Sequence, residues 1–204
     1  MILSIPYHPR IADYEKLRTT IRKFGTNPNH TLSVVSTREH EEAAFEFLMG
    51  LGESFLRQFA VVVPDADESP LRMSNRLFLA AMKSLHDYTP SVQENPRPVM
   101  LYFDPTWVPT TSRWLDELQT EYYLSGAPQV FGYFKIRDDG SPVPTGPIAF
   151  AKTYPSYSRL LDFVLESGKH WRDYLSWETF NTAVKTDAIG QTKKACIRPQ
   201  TVKK

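Results

Sequence analysis

The sequence predicts an α/β domain: a mostly parallel central sheet flanked by helices, with an antiparallel element in the C-terminal half. Three observations carry this. Short apolar runs alternate with helical patterns through the first half of the chain, and strands separated by helices of that kind form βαβ units with right-handed crossovers. The runs ILSI, FAVVV and VMLYF are almost continuously apolar, as strands covered on both faces must be. Between residues 129 and 151, two strand-like runs flank the turn sequence RDDGSP, the mark of an antiparallel hairpin.

In chain order, residues 2–6 read as the first strand, and 10–24 as an amphipathic helix with Ile11, Tyr14, Leu17 and Ile21 on one face. Residues 31–36, TLSVVS, form the second strand and 41–55 the second helix. QFAVVV at 58–63 is the third strand, and the polar loop DADESP leads into a helix carrying Leu77, Phe78, Ala81 and Leu85. PVMLYF at 98–103 is the fourth strand, followed by a helix at 112–124 and the hairpin. Helices at 156–166 and 174–184 complete the expected core. The spacing gives one domain over 1–190 and a polar, basic, mobile tail over 191–204.

A chain of 204 residues suits one domain. Its 41% hydrophobic content excludes disorder. With 24 Lys plus Arg against 23 Asp plus Glu, no global field draws a polyanion, which must be met by a local patch. The single cysteine, Cys196, allows no internal disulfide, and no stretch is long and apolar enough for a signal peptide or membrane span. These features lead us to expect a cytoplasmic protein, in the host cytoplasm if it is phage-encoded.

In an open α/β sheet, ligands bind beyond the carboxyl ends of the strands, here the loops YHPR, STREH, PDADESP and DPTWVP. Neither a GxGxxG nor a P-loop motif is present. Tyr7 is suited to stacking on a base and Arg38 to meeting a phosphate. Asp104 directly follows a buried strand, where a carboxylate needs a cation, donors or water; the plain alternative is that it caps the turn before Pro105.

The stretch from NRLFLAAMKSL through MLYFDPTWVPTTSRWLDELQTEYYLSGAPQVFGYF to TGPIAFAKTYPSYSRLLDF, ending in LSWETF, resembles small bacterial and phage glycosyltransferases of the A type. Asn75, Leu77, Phe78, Asp104, Pro105, Pro109, Trp114, Leu115, Asp116, Glu121, Tyr122, Gly132, Thr145, Gly146, Trp177 and Glu178 carry the match, over about residues 70–190. The resemblance implies a Rossmann-like sheet of the GT-A plan, a nucleotide-diphosphate sugar as donor and a hydroxyl as acceptor. Several phage relatives are thought to modify hydroxymethylated pyrimidines in DNA, so modified DNA is an expected partner. Asp104 becomes a donor site and the ligand of a divalent cation, Mn²⁺ or Mg²⁺. That site looks incomplete, because Thr106 stands where relatives carry a second carboxylate and Gln191 where a histidine is expected.

Lys193 and Lys194 then become candidates for covering the leaving diphosphate, or are simply solvated. Glu178 and Asp173 are candidate bases for the acceptor hydroxyl, with helix capping the alternative for Glu178. His8 is a candidate for binding a phosphate or is a hydrogen-bonded loop histidine, Thr145 and Gly146 allow close approach of donor or acceptor, and Trp107 either lines an acceptor pocket or packs against the core. Two competing readings remain: a catalytically degenerate GT-A fold kept for binding or interaction, and, ranked last, a nucleotidyltransferase.

Overall fold

A computed structural model describes residues 1–25, 27–66, 69–87, 98–127, 130–136, 138, 142–151, 162–164, 167, 169–173, 189–191 and 196–200. The strands are β1 (Ile2–Tyr7), β2 (Asn27–Thr37), β3 (Phe55–Val63), β4 (Val99–Tyr102), β5 (Trp107–Pro109), β6 (Val130–Ile136), β7 (Pro142–Ala151), β8 (Ile189–Gln191) and β9 (Ile197–Pro199). The helices are α1 (Tyr14–Lys23), α2 (Glu41–Met49), α3 (Pro70–Asp87) and α4 (Trp114–Leu124).

Among the described residues the main sheet has the order β3-β2-β1-β4-β7-β6-β8. β3, β2, β1 and β4 run parallel, β7 is antiparallel to β4 and β6, and β8 is parallel to β6. The mixed α/β plan with one antiparallel element is the one expected. Alternation along each strand explains its apolar runs: Leu3, Ile5 and Leu101 face a core with Leu17, Ile21, Phe47 and Leu118, whereas Ile2, Met100 and Tyr102 face Leu77, Phe78 and Leu85 of α3. Helices cover both sides, so both faces must be apolar.

Local chemistry shifts several boundaries. α1 begins at Tyr14 because the Asp13 side chain caps it, accepting from the Lys16 N–H at 2.9 Å. Residues 9–11 instead form a turn closed by the Ile11 N–H on the His8 carbonyl, which leaves Ile11 exposed rather than on the buried helical face. α2 stops at Met49, and Phe55 opens β3 instead of ending that helix. The expected helix at 174–184 and most of that at 156–166 lie outside the described residues.

The C-terminal segment departs from the mobile tail expected over 191–204. Ile197–Pro199 pairs antiparallel with Trp107–Pro109, and Cys196 and Ile197 are buried against the first core. An alternation of small and apolar residues within a basic stretch is enough to dock it.

Candidate active site

β1 is flanked by β2 on one side and β4 on the other, which makes the crevice outside their carboxyl ends the topological switch point of the sheet. β1 extends beyond β4, since Ser4 lies opposite Tyr102 and the Phe103 N–H continues the ladder onto the Ser4 carbonyl at 2.8 Å. Asp104 therefore emerges beside the last residues of β1. A cleft of about 270 Å³ opens there, lined by Pro6 and Tyr102 from the strands, Ser74 and Leu77 from α3, and Asp104, Thr106 and Arg172.

The Asp104 side chain is only 19% exposed, and both of its oxygens are engaged. Oδ2 accepts from Nη2 of Arg172 at 2.8 Å, and Oδ1 accepts from the Thr106 N–H at 3.0 Å and the Thr106 hydroxyl at 2.6 Å. The turn-capping role and the cleft-lining role thus belong to one side chain. Thr106, which replaces a carboxylate of the resemblance, supplies donors where an acid would supply charge.

Arg172 reaches the cleft because α3 grips the segment before it. The Asn75 side chain, 4% exposed, donates from Nδ2 to the Lys169 carbonyl at 2.7 Å and accepts the Trp171 N–H on Oδ1 at 3.1 Å. Trp171 stacks on Phe78 with ring centroids 4.1 Å apart, and its ring also meets the Arg172 guanidinium at 5.1 Å. His170 accepts the Arg172 N–H on Nδ1 at 3.1 Å, which leaves the proton on Nε2 to be donated to Ser74 Oγ at 3.2 Å. Burial, and after it the neighbouring Arg172, hold its pKa below the ordinary histidine value. His170 is therefore a neutral spacer.

The other candidates divide by location. Tyr7 and His8 end the first strand's path: the Tyr7 ring lies 4.4 Å from Tyr14 and 5.7 Å from Phe47, and His8 meets His40 edge-on at 4.8 Å, which joins the first two loops. Burial first, then His40 and Arg10, lower the His8 pKa, so it is no cationic phosphate clamp at neutral pH. Arg38 is exposed in the turn after β2. Asp173 accepts the His170 N–H at 3.2 Å and is exposed.

Trp107 is absent from the cleft lining; its ring packs on Tyr133 at 4.9 Å and covers Gly146. Thr145 and Gly146 lie within β7, with the Thr145 hydroxyl on the Tyr133 carbonyl at 3.3 Å. Glu178, Lys193 and Lys194 lie outside the described residues. Arg172 and His170 escaped the sequence reading because KHWRD falls between two expected helices, its density of His, Trp, Arg and Asp being the available signal; Ser74, a lone serine within an expected helix, carried none.

The described residues around Asp104 do not by themselves make a divalent-cation site. The carboxylate already faces a guanidinium and two donors, and among the described residues no three His, Cys, Asp or Glu side chains come together. No helix among them is long and apolar enough to cross a membrane.

No protein-family model matches the chain, and no curated protein matches its sequence. Solved structures do resemble it. Mouse xyloside xylosyltransferase 1, in its apo form, superposes with a TM-score of 0.55 at 12% identity, over 94% of this chain and 84% of that one. CMP:2-keto-3-deoxy-manno-octonic acid synthetase, solved with CTP, gives 0.54 at 12% over 98% and 92%. Glucosyl-3-phosphoglycerate synthase of Mycobacterium tuberculosis, solved with Mn²⁺, UDP and phosphoglyceric acid, gives 0.54 at 12% over 99% and 71%. At such identity the likeness is one of fold, and the fold is the GT-A, Rossmann-like plan.

Proposed function

We propose that this protein is a glycosyltransferase that takes a nucleotide-diphosphate sugar as donor and a hydroxyl as acceptor. The observation that carries the reading is the pairing of Asp104 with Arg172 inside a cleft at the switch point of a GT-A-type sheet. Structural neighbours solved with CTP and with UDP share this fold, which supports a nucleotide as the ligand. In the transfer, the bond between the anomeric carbon and the diphosphate oxygen breaks as the acceptor oxygen bonds that carbon. The acceptor proton passes to a carboxylate, for which Asp173 and Glu178 are the candidates, and the diphosphate leaves with the bonding pair. Tyr7, His8 and Arg38, at the ends of β1 and β2, are proposed to meet the nucleotide, with Lys193 and Lys194 as further donor contacts.

Residues 1–190 are proposed as one such domain, and a hydroxymethylated pyrimidine in DNA as the first acceptor to try; the sequence resemblance alone supports that acceptor. A thermal-shift and turnover panel of UDP-, GDP-, CDP- and TDP-sugars tests the reading. A donor at 100 times its dissociation constant should add about 2.7 kcal/mol of stability, and at least one donor should be hydrolysed or transferred. A folded protein that responds to no nucleotide would end the enzymatic reading and favour an interaction module.

A further inference from the structure

Asp104 holds the guanidinium of Arg172 inside the cleft. Among the described residues it is one of two charged side chains lining the cleft and is bound to the other; polar Ser74, Thr106 and His170 and apolar or aromatic groups such as Leu77, Tyr102 and Trp171 line the rest. The pair is partly sheltered, with side-chain exposures of 19% for Asp104 and 25% for Arg172, so the contact is stronger than a fully hydrated surface pair. Two features let the partners separate without leaving either stranded. Thr106 holds Oδ1 of Asp104 through two hydrogen bonds that do not involve Arg172. Asn75 pins the backbone at Lys169 and Trp171, and the guanidinium lies over the Trp171 ring, a contact that does not depend on Asp104.

We infer that Arg172 is the diphosphate-binding cation of this site and that Asp104 is its internal placeholder anion, displaced from the guanidinium when a diphosphate enters. The inference rests on the donor-site reading above and assigns the charge neutralisation of that site to a side chain of this protein. Guanidinium matches phosphate oxygens in geometry and stays charged throughout the pH range of the protein. Because the carboxylate competes with the ligand for one cation, its charge opposes binding. A carboxylate that served as a metal ligand would do the reverse.

The variant Asp104→Asn separates the two roles by sign. Titration calorimetry with inorganic pyrophosphate and with UDP, CDP, GDP and ADP, each in EDTA and each in Mn²⁺, reads the result. We expect binding in EDTA, weakened roughly 10- to 100-fold in Arg172→Gln, as for loss of a charge-assisted hydrogen bond. Arg172→Lys should fall between, since it keeps the charge and loses the fork. Asp104→Asn should tighten metal-free binding roughly fivefold, as for removal of one nearby like charge in water. Its circular dichroism and melting temperature establish that the variant is folded. Binding that requires Mn²⁺ and vanishes in Asp104→Asn, or binding in EDTA indifferent to Arg172→Gln, overturns the inference while leaving the donor site intact. Absence of binding to any of these probes under both conditions overturns the donor-site reading, and the inference with it.

Discussion

Asn75 does the least conspicuous work in the cleft. Its amide satisfies one carbonyl and one N–H of a segment 94 and 96 residues away, groups that burial would otherwise leave unpaired. Asn75→Ala should cost about 1–3 kcal/mol for each orphaned group and weaken pyrophosphate binding as well, because residues 169–171 set the position of Arg172. Urea unfolding and calorimetry on the same variant check both halves; unchanged binding in a destabilised protein would show that Arg172 is positioned by something else. Asp104 was legible in the sequence because a carboxylate straight after a buried strand has few ways to be satisfied. Its partner was not. Arg172 lies 68 residues further on, and no local pattern encodes which distant cation a carboxylate meets. Trp107 and Thr145 show the same limit from the other direction, since residue type suggested a ligand role while packing on Gly146 and Tyr133 decided where they sit.

At the scale of elements, periodicity revealed the strands and helices that bury continuous apolar faces, and missed those made by short-range geometry. β5 and β9 have three residues each, too few for a periodic signal, yet their pairing ties the C-terminal segment to the acidic loop. Gln200 completes the tie, donating from its backbone to the Thr106 carbonyl and from its side chain to the Pro105 carbonyl at 2.7 Å. Burial pushes the Cys196 thiol up to about 11, so the strap shields a thiol that is both hidden and protonated. Ile197→Ala should therefore lower stability by about 2–5 kcal/mol, the lower end being expected at the edge of the core, and should accelerate reaction of Cys196 with a thiol reagent at pH 8. Slow, unchanged labelling in that variant would mean that the strap is not what protects the cysteine. Gly132 makes a complementary case in the hairpin. A Cβ there would lie 2.5 Å from the Pro147 carbonyl oxygen, a backbone atom that cannot swing aside, so Gly132→Ala should lower the melting temperature in a thermal scan and disturb the irregular register between Gly132 and Phe134. Gly146 faces an aromatic ring instead, and Ala there should be milder because a side chain has somewhere to go.

Across the whole molecule, alternation of apolar strands and helices made the sheet legible, whereas the order β4-β7-β6 depends on which later strand pairs beside β4. The same long-range packing sets how the fold responds to acid. His30, 1% exposed at the start of β2's paired region, donates from Nε2 to Asp116 on α4 at 2.9 Å, with the Met1 amine nearby and Arg113 on the far side of the carboxylate. Burial first, and the amine after it, lower the His30 pKa despite Asp116; burial and Arg172 lower that of His170, against the pull of Asp173 and Asp104. In the unfolded chain both titrate at about 6.5. As the pH falls through that value the unfolded state takes up protons that the folded state still refuses, so stability is full above about pH 7 and declines toward the lower, folded-state values. The melting temperature should accordingly drop between pH 7 and 5.5, before most carboxylates begin to protonate. His30→Gln retains a donor for Asp116 but cannot titrate, and should flatten that slope; combined with His170→Gln it should flatten it further. Should the double variant lose stability between pH 7 and 5.5 as steeply as the parent, the proton uptake that weakens this fold would have to occur elsewhere.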